Sequence, residues 1–182
     1  MSGYSADHID AIFEDTAVMD EAALQEQLEH FSEQQPALLS YFMTTGDTIL
    51  DENERELLLF LGMVVWRCFE KDSEGELSGE AIADAEAGND RLLEALVSAS
   101  IDDQADEIEA FLDDYPQDHL LALIEDLVLF AESDKDGDGS EDGSEGDDPA
   151  EDPIRDENRP WLFVFLKTAI DALHHARSSD TD

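Results

Sequence analysis

The chain has 182 residues, with 49 Asp plus Glu against 9 Lys plus Arg and a formal net charge of -40. That excess excludes non-specific nucleic-acid binding through a basic surface. Hydrophobic residues still make up 42% of the chain, enough for a core, so the composition describes a folded protein with an acidic exterior.

Apolar residues recur mostly at helical spacing and no segment alternates for long, which predicts an all-α chain of about eight helices. The first covers 6–15, with Ile9, Ile12 and Phe13 on one face. Asp20 is placed to cap a second over 20–34, carrying Leu24, Leu28 and Phe31. Pro36 suits the first turn of a short helix over 37–45, where its missing N–H costs nothing, and Gly46 ends it. A fourth helix runs over 51–71, with Asp51 and Glu54 forming a capping box of the Asp-x-x-Glu type. Its stretch 57–66 is apolar on all sides, as expected of a central helix wrapped by others. Helices over 78–99, weakened by Gly88, and over 103–114 follow. The last two cover 118–132, just after Pro116, and 158–177.

An internal repeat organises these elements. Residues 49–61 align without gaps on 154–166, an offset of 105, with seven of thirteen pairs identical. Upstream, Leu28, Phe31 and Pro36 align at an offset of 80 on Ile108, Phe111 and Pro116. The change of offset coincides with a low-complexity insert, about 133–153, rich in Asp, Gly and Ser. Continuing the offset of 80 pairs Ile12 and Phe13 with Leu92 and Leu93. The expectation is a single domain over 1–182, a pseudo-twofold helical bundle from a diverged tandem duplication, with repeats over about 6–72 and 79–178. The helices beginning at Asp51 and Asp156 then meet in the interior, where Gly62 permits close approach and its counterpart Lys167 breaks the symmetry.

Two origins compete for the charge. A host that accumulates molar salt screens self-repulsion within ~3 Å; alternatively, an acidic surface imitates the phosphates of DNA. Acid is spread over the polar side of every predicted helix rather than gathered on one surface, which favours the salt-adapted host. The N-terminal residues lack the basic and apolar regions of a signal peptide, and 57–66 is far short of the ~20 residues that span a bilayer. The expected protein is cytoplasmic, bound to neither membrane nor nucleic acid.

Candidate chemistry is sparse. Asp134, Asp136, Asp138, Gly139 and Glu145 satisfy Asp-x-Asp-x-Asp-Gly-x5-Glu, and these twelve residues resemble the loop of the EF-hand family, which implies a Ca2+ site. Against it, Glu141 stands where an apolar residue is usual, and Gly146 to Pro149 cannot begin the exiting helix, so a solvated acidic linker is the simpler reading. His174 and His175 are adjacent and point apart, so they do not chelate; with Arg177 they suit the negative end of the last helix. His8, His30 and His119 have no His or Cys at ligand spacing. Cys68, the only cysteine, excludes an intramolecular disulfide and is read as a buried, inert thiol. Trp66, Trp161, Tyr41, Tyr115 and the phenylalanines are read as core. With no catalytic constellation, the expected function is a non-catalytic interaction or scaffold protein that binds a protein partner. Alternatives are a small-ligand-binding protein or enzyme with a site in the helical core, and a Ca2+-responsive module acting through the acidic insert.

Overall fold

The computed structural model describes residues 3–71, 75–100, 108, 115–129 and 154–179. Among these the fold is all-helical, with seven α-helices and no strand: α1 Ala6–Ala17, α2 Glu21–Gln34, α3 Pro36–Thr44, α4 Glu52–Phe69, α5 Gly79–Ser98, α6 Asp118–Val128 and α7 Arg159–Ser179. Of the helix expected over 103–114, only Ile108 is described, and it is helical and buried. The rest of that helix, and the acidic insert, lie outside the described residues.

Local chemistry explains the boundaries. Asp20 accepts from Ala23 N at 2.9 Å and so caps α2. Pro36 occupies the first turn of α3. Gly46, at φ +74°, adopts the left-handed turn that ends α3, where a side chain would be strained. At α4 the capping box is complete: Glu54 N donates to Asp51 at 3.0 Å, and Asp51 N donates to Glu54 at 2.9 Å. At the start of α7, Arg159 stands three residues after Asp156, where α4 has Glu54 three residues after Asp51. Asp156 instead accepts from the Arg159 guanidinium at 3.1 Å, and the chain enters α7 through a 3-10 turn, Asp156–Asn158.

Helices α4 and α7 pack on each other in the interior. Residues 61–66 of α4 and 162–170 of α7 are buried without interruption, so these are the two helices wrapped by the others. Helix α7 also packs on α5 and α6, and α4 on α1, α2 and α3; α1 meets α6, and α3 meets α5. The two central helices begin side by side. Arg155 Nη2 and Asn158 Nδ2 donate to Glu54 Oε2 at 2.7 and 2.8 Å. The space left by Gly62, however, is filled by α3 rather than α7: a Cβ there would lie 2.6 Å from Phe42 Cε2.

No described helix is long and apolar enough to cross a membrane. Among the described residues Glu54 is the one fully buried carboxylate and Asp171 is largely buried, while most of the other acids are exposed.

Candidate functional site

A cleft of about 320 Å³ lies between α5 and α7. Helix α5 contributes Ala83, Glu86, Ala87 and Asp90, and α7 contributes Trp161, Val164, Phe165 and Thr168. Both sets recur at i, i+3, i+4 and i+7, so each is one continuous helical stripe. Ala83 and Ala87 bring only methyl groups to the α5 wall. Exposed Glu86 and Asp90 stand a turn apart at the mouth.

Asn89 and Thr168 also line the cleft, and they connect it to a polar network in the core. Lys167, 8% exposed, donates to Asn89 Oδ1 at 2.8 Å and to Asp171 Oδ2 at 2.7 Å. Its ammonium sits 4.8 Å from the centre of the Tyr115 ring. Asn89 Nδ2 donates to Asp171 Oδ2 at 2.8 Å and to Thr168 Oγ1 at 3.2 Å. The Tyr115 hydroxyl completes the group by donating to Asp171 Oδ1 at 2.6 Å. Burial, then the adjacent Asp171 charge and this hydrogen bond, push the phenol far above its ordinary value. The ammonium and carboxylate are thus bonded to one another and to fixed neighbours.

Tyr41 lies behind the cleft wall, its ring 6.4 Å from that of Phe165. Its buried hydroxyl is close to Thr168 and Thr45 without a well-formed hydrogen bond. Burial raises this phenol as well.

The residues singled out in the sequence fare differently. Asp134, Asp136, Asp138 and Glu145 lie outside the described residues. Among the described residues, no cluster of three His, Cys, Asp or Glu is arranged to hold a metal ion. Cys68 is buried, and burial pushes its thiol up to about 12, with Arg67 acting in the opposite direction. Trp66 is core, stacked on Phe31 at 4.6 Å, whereas half-buried Trp161 borders the cleft. His30 reaches Glu70 at 2.8 Å. His174 departs from the expected role at the helix terminus. Burial, then the charges of His175 and others, lowers its pKa, and Nδ1 faces Gln117 Nε2 at 3.1 Å as an acceptor for that amide.

A second structural pairing was not visible in the sequence. Gln35 and Gln117 are both buried, and they precede α3 and α6. Gln35 Oε1 accepts from Leu77 N at 2.8 Å, and Gln117 Oε1 accepts from Tyr4 N at 3.2 Å. Leu77 and Tyr4 each sit one residue before the serine that precedes a helix, Ser78 before α5 and Ser5 before α1. Each glutamine therefore ties the start of a helix from the other half of the chain.

Comparison with protein-family models, with curated proteins and with solved structures finds no match.

Proposed function

We propose that this chain is a non-catalytic helical scaffold of a salt-adapted prokaryote, which binds a protein partner in the α5–α7 cleft. The carrying observation is the cleft itself: a helical stripe of side chains on each wall, open to solvent, with Val164 and Phe165 at its base and Asn89 and Thr168 held in the Lys167 network. Such a groove suits an amphipathic helix laid between two others. The exposed large apolar residues among those described, Val18, Met43 and Val97 on α5 outside the groove, are scattered.

A diverged duplication accounts for the frame around the cleft. Under exchange of halves α1 corresponds to α5, α3 to α6, and α4 to α7. The helix contacts then exchange as well: α1 on α4 with α5 on α7, α3 on α4 with α6 on α7, and α1 on α6 with α5 on α3. The first helices match better at a spacing of 73 than at 80, because it pairs Ser5 with Ser78, buried Ile9 with Ile82, and buried Thr16 with Asn89. Thr16 and Asn89 even make the same bond, each donating to the carbonyl four residues earlier.

The salt-adapted habitat rests on an acidic surface that surrounds the molecule instead of marking one face. Raising KCl toward molar concentration should raise the unfolding midpoint; a midpoint indifferent to salt would remove that part of the reading.

The decisive experiment is affinity capture of the full chain, at native abundance, from a high-salt lysate. A stoichiometric protein partner supports the scaffold. Recovery of the chain alone counts against it.

A ligand-binding or enzymatic reading draws on the Lys167 network bordering the cleft through Asn89 and Thr168. Its weakness is that the ammonium and the carboxylate already hold each other.

A further inference from the structure

We infer that the α5–α7 cleft takes an aromatic side chain from a partner helix, with a Lys or Arg one turn away paired to Glu86 or Asp90. This rests on the proposed docking function and names the chemistry of the partner.

The inference comes from comparing equivalent places in the two halves. On α1, Phe13 lies against Phe60 of α4, their ring centres 6.3 Å apart and nearly perpendicular. The spacing that pairs Thr16 with Asn89 pairs Phe13 with Glu86, and the spacing that pairs Asp51 with Asp156 pairs Phe60 with Phe165. Phe165 is therefore present in the second half, but α5 brings a carboxylate where α1 brings a ring. The first half closes this groove with its own aromatic. In the second, Phe165 meets Tyr41 and Trp161 at 6.4 and 6.0 Å, but no ring comes from α5, and the side toward α5 borders the cleft of about 320 Å³, at the lower end of the range for ligand sites.

An incoming aromatic ring would restore the packing seen at Phe13 and Phe60, with Trp161 and Phe165 as its neighbours. Charge then selects what carries the ring. Glu86 and Asp90 flank the opening, so a base on the partner is paired at contact where an acid would be repelled. Molar salt would cancel long-range attraction but not a contact pair, so the ring supplies the affinity and the adjacent base the selectivity.

The test is a calorimetric titration of the full chain, in high KCl, with a synthetic helical peptide carrying one Phe and an Arg one turn to either side. Saturable binding is expected, about tenfold weaker or more when the peptide Phe is replaced by Ala. Glu86→Phe should fill the cleft from within, as Phe13 does, and abolish binding while the circular dichroism stays helical. Ala87→Arg, at an exposed position on the mouth, should also block the peptide and serves if Glu86→Phe fails to fold. Undiminished binding to a folded variant of either kind, indifference to the peptide Phe, or no saturable binding to the parent chain would overturn the inference. Phenethylamine binding as tightly as the peptide would assign the cleft to a small amine and overturn it too. If a partner is captured from lysate and Glu86→Phe does not release it, the aromatic occupant is wrong while the scaffold reading survives; if no partner is captured, the scaffold reading itself is lost.

Discussion

Arg155 grips Glu54 across 101 residues of sequence, with Nη2 to Oε2 at 2.7 Å and both the side-chain Nε and the backbone N on Oε1. This contact locks the starts of α4 and α7 together. Burial alone would raise the Glu54 pKa, but Arg155, the backbone N–H groups of Asp51 and Arg155, and Asn158 together outweigh it and lower the carboxyl to about 2. The side chain is 0% exposed.

A depressed folded-state pKa contributes stability that is fully present above the unfolded value, 4.5, and is lost as pH falls through about 2. Glu54 should therefore supply on the order of 2–3 kcal/mol near neutrality, disappearing between those limits. Acid titration of the urea midpoint tests this. Glu54→Gln should be less stable at neutral pH and should flatten the acid limb; an unchanged limb would show that the contact does not carry the linkage.

Gln35 and Gln117 supply a second check, because each satisfies a backbone N–H that no helix can. Gln35→Leu and Gln117→Leu should each cost about 1–3 kcal/mol, the price of a buried donor left without an acceptor. Gln35 should be the costlier, since its Nε2 also bonds the Gly75 carbonyl at 2.8 Å, whereas the Gln117 amide meets a side chain. Urea unfolding in high KCl would decide. A loss at Gln35 with none at Gln117 would argue that the paired ties are not equivalent.

Features set by near neighbours could be read from the sequence. Asp20, Pro36, Gly46 and the Asp51–Glu54 box each act within four residues, so residue type and spacing were enough to place them. The apolar run 57–66 of α4 likewise announced a central helix wrapped by others. The cleft was not legible, because Glu86 is one acid among 49 and acquires meaning only opposite Phe165. Lys167 was visible as a charge inside an apolar helix, but Asn89 and Tyr115, which make it tolerable, come from distant segments. Gly62 misled for a related reason: its missing side chain was apparent, and the neighbour using the space was not.

Two glycines in helices should respond oppositely to alanine. At Gly62 a Cβ would lie 2.6 Å from Phe42, a buried ring held by Phe31 and Tyr41. The clash should cost about 1–3 kcal/mol and outweigh the ~1 kcal/mol gained in helix propensity. At Gly88 nothing lies within 4 Å, so Gly88→Ala should stabilise α5 by up to about 1 kcal/mol. Phe42→Leu combined with Gly62→Ala should recover part of the loss. Two glycine variants that shift the unfolding midpoint alike would contradict this account.

Lys167 offers the sharpest test of the buried network. Lys167→Met keeps the length and apolar stem of the side chain but removes the ammonium bonded to Asn89 Oδ1 and Asp171 Oδ2. Asp171 would retain its bonds from Asn89 and Tyr115, so the loss should be about 2–4 kcal/mol, toward the lower end for a broken buried pair. In Tyr115→Phe the carboxylate loses one donor and keeps the ammonium, for about 1.5–3 kcal/mol. Because both changes act on one carboxylate, the double variant should depart from the sum of the two, and additivity would mean the groups do not communicate. Alkali adds an independent readout. A raised folded-state pKa at Tyr115 contributes stability that is present below the unfolded value of 10.0 and declines as pH rises above it. The urea midpoint should thus begin to fall as pH rises above 10, and Tyr115→Phe should weaken that pH dependence. Ionisation of the Tyr115 phenol in the intact fold at its ordinary pH would contradict its burial against Asp171.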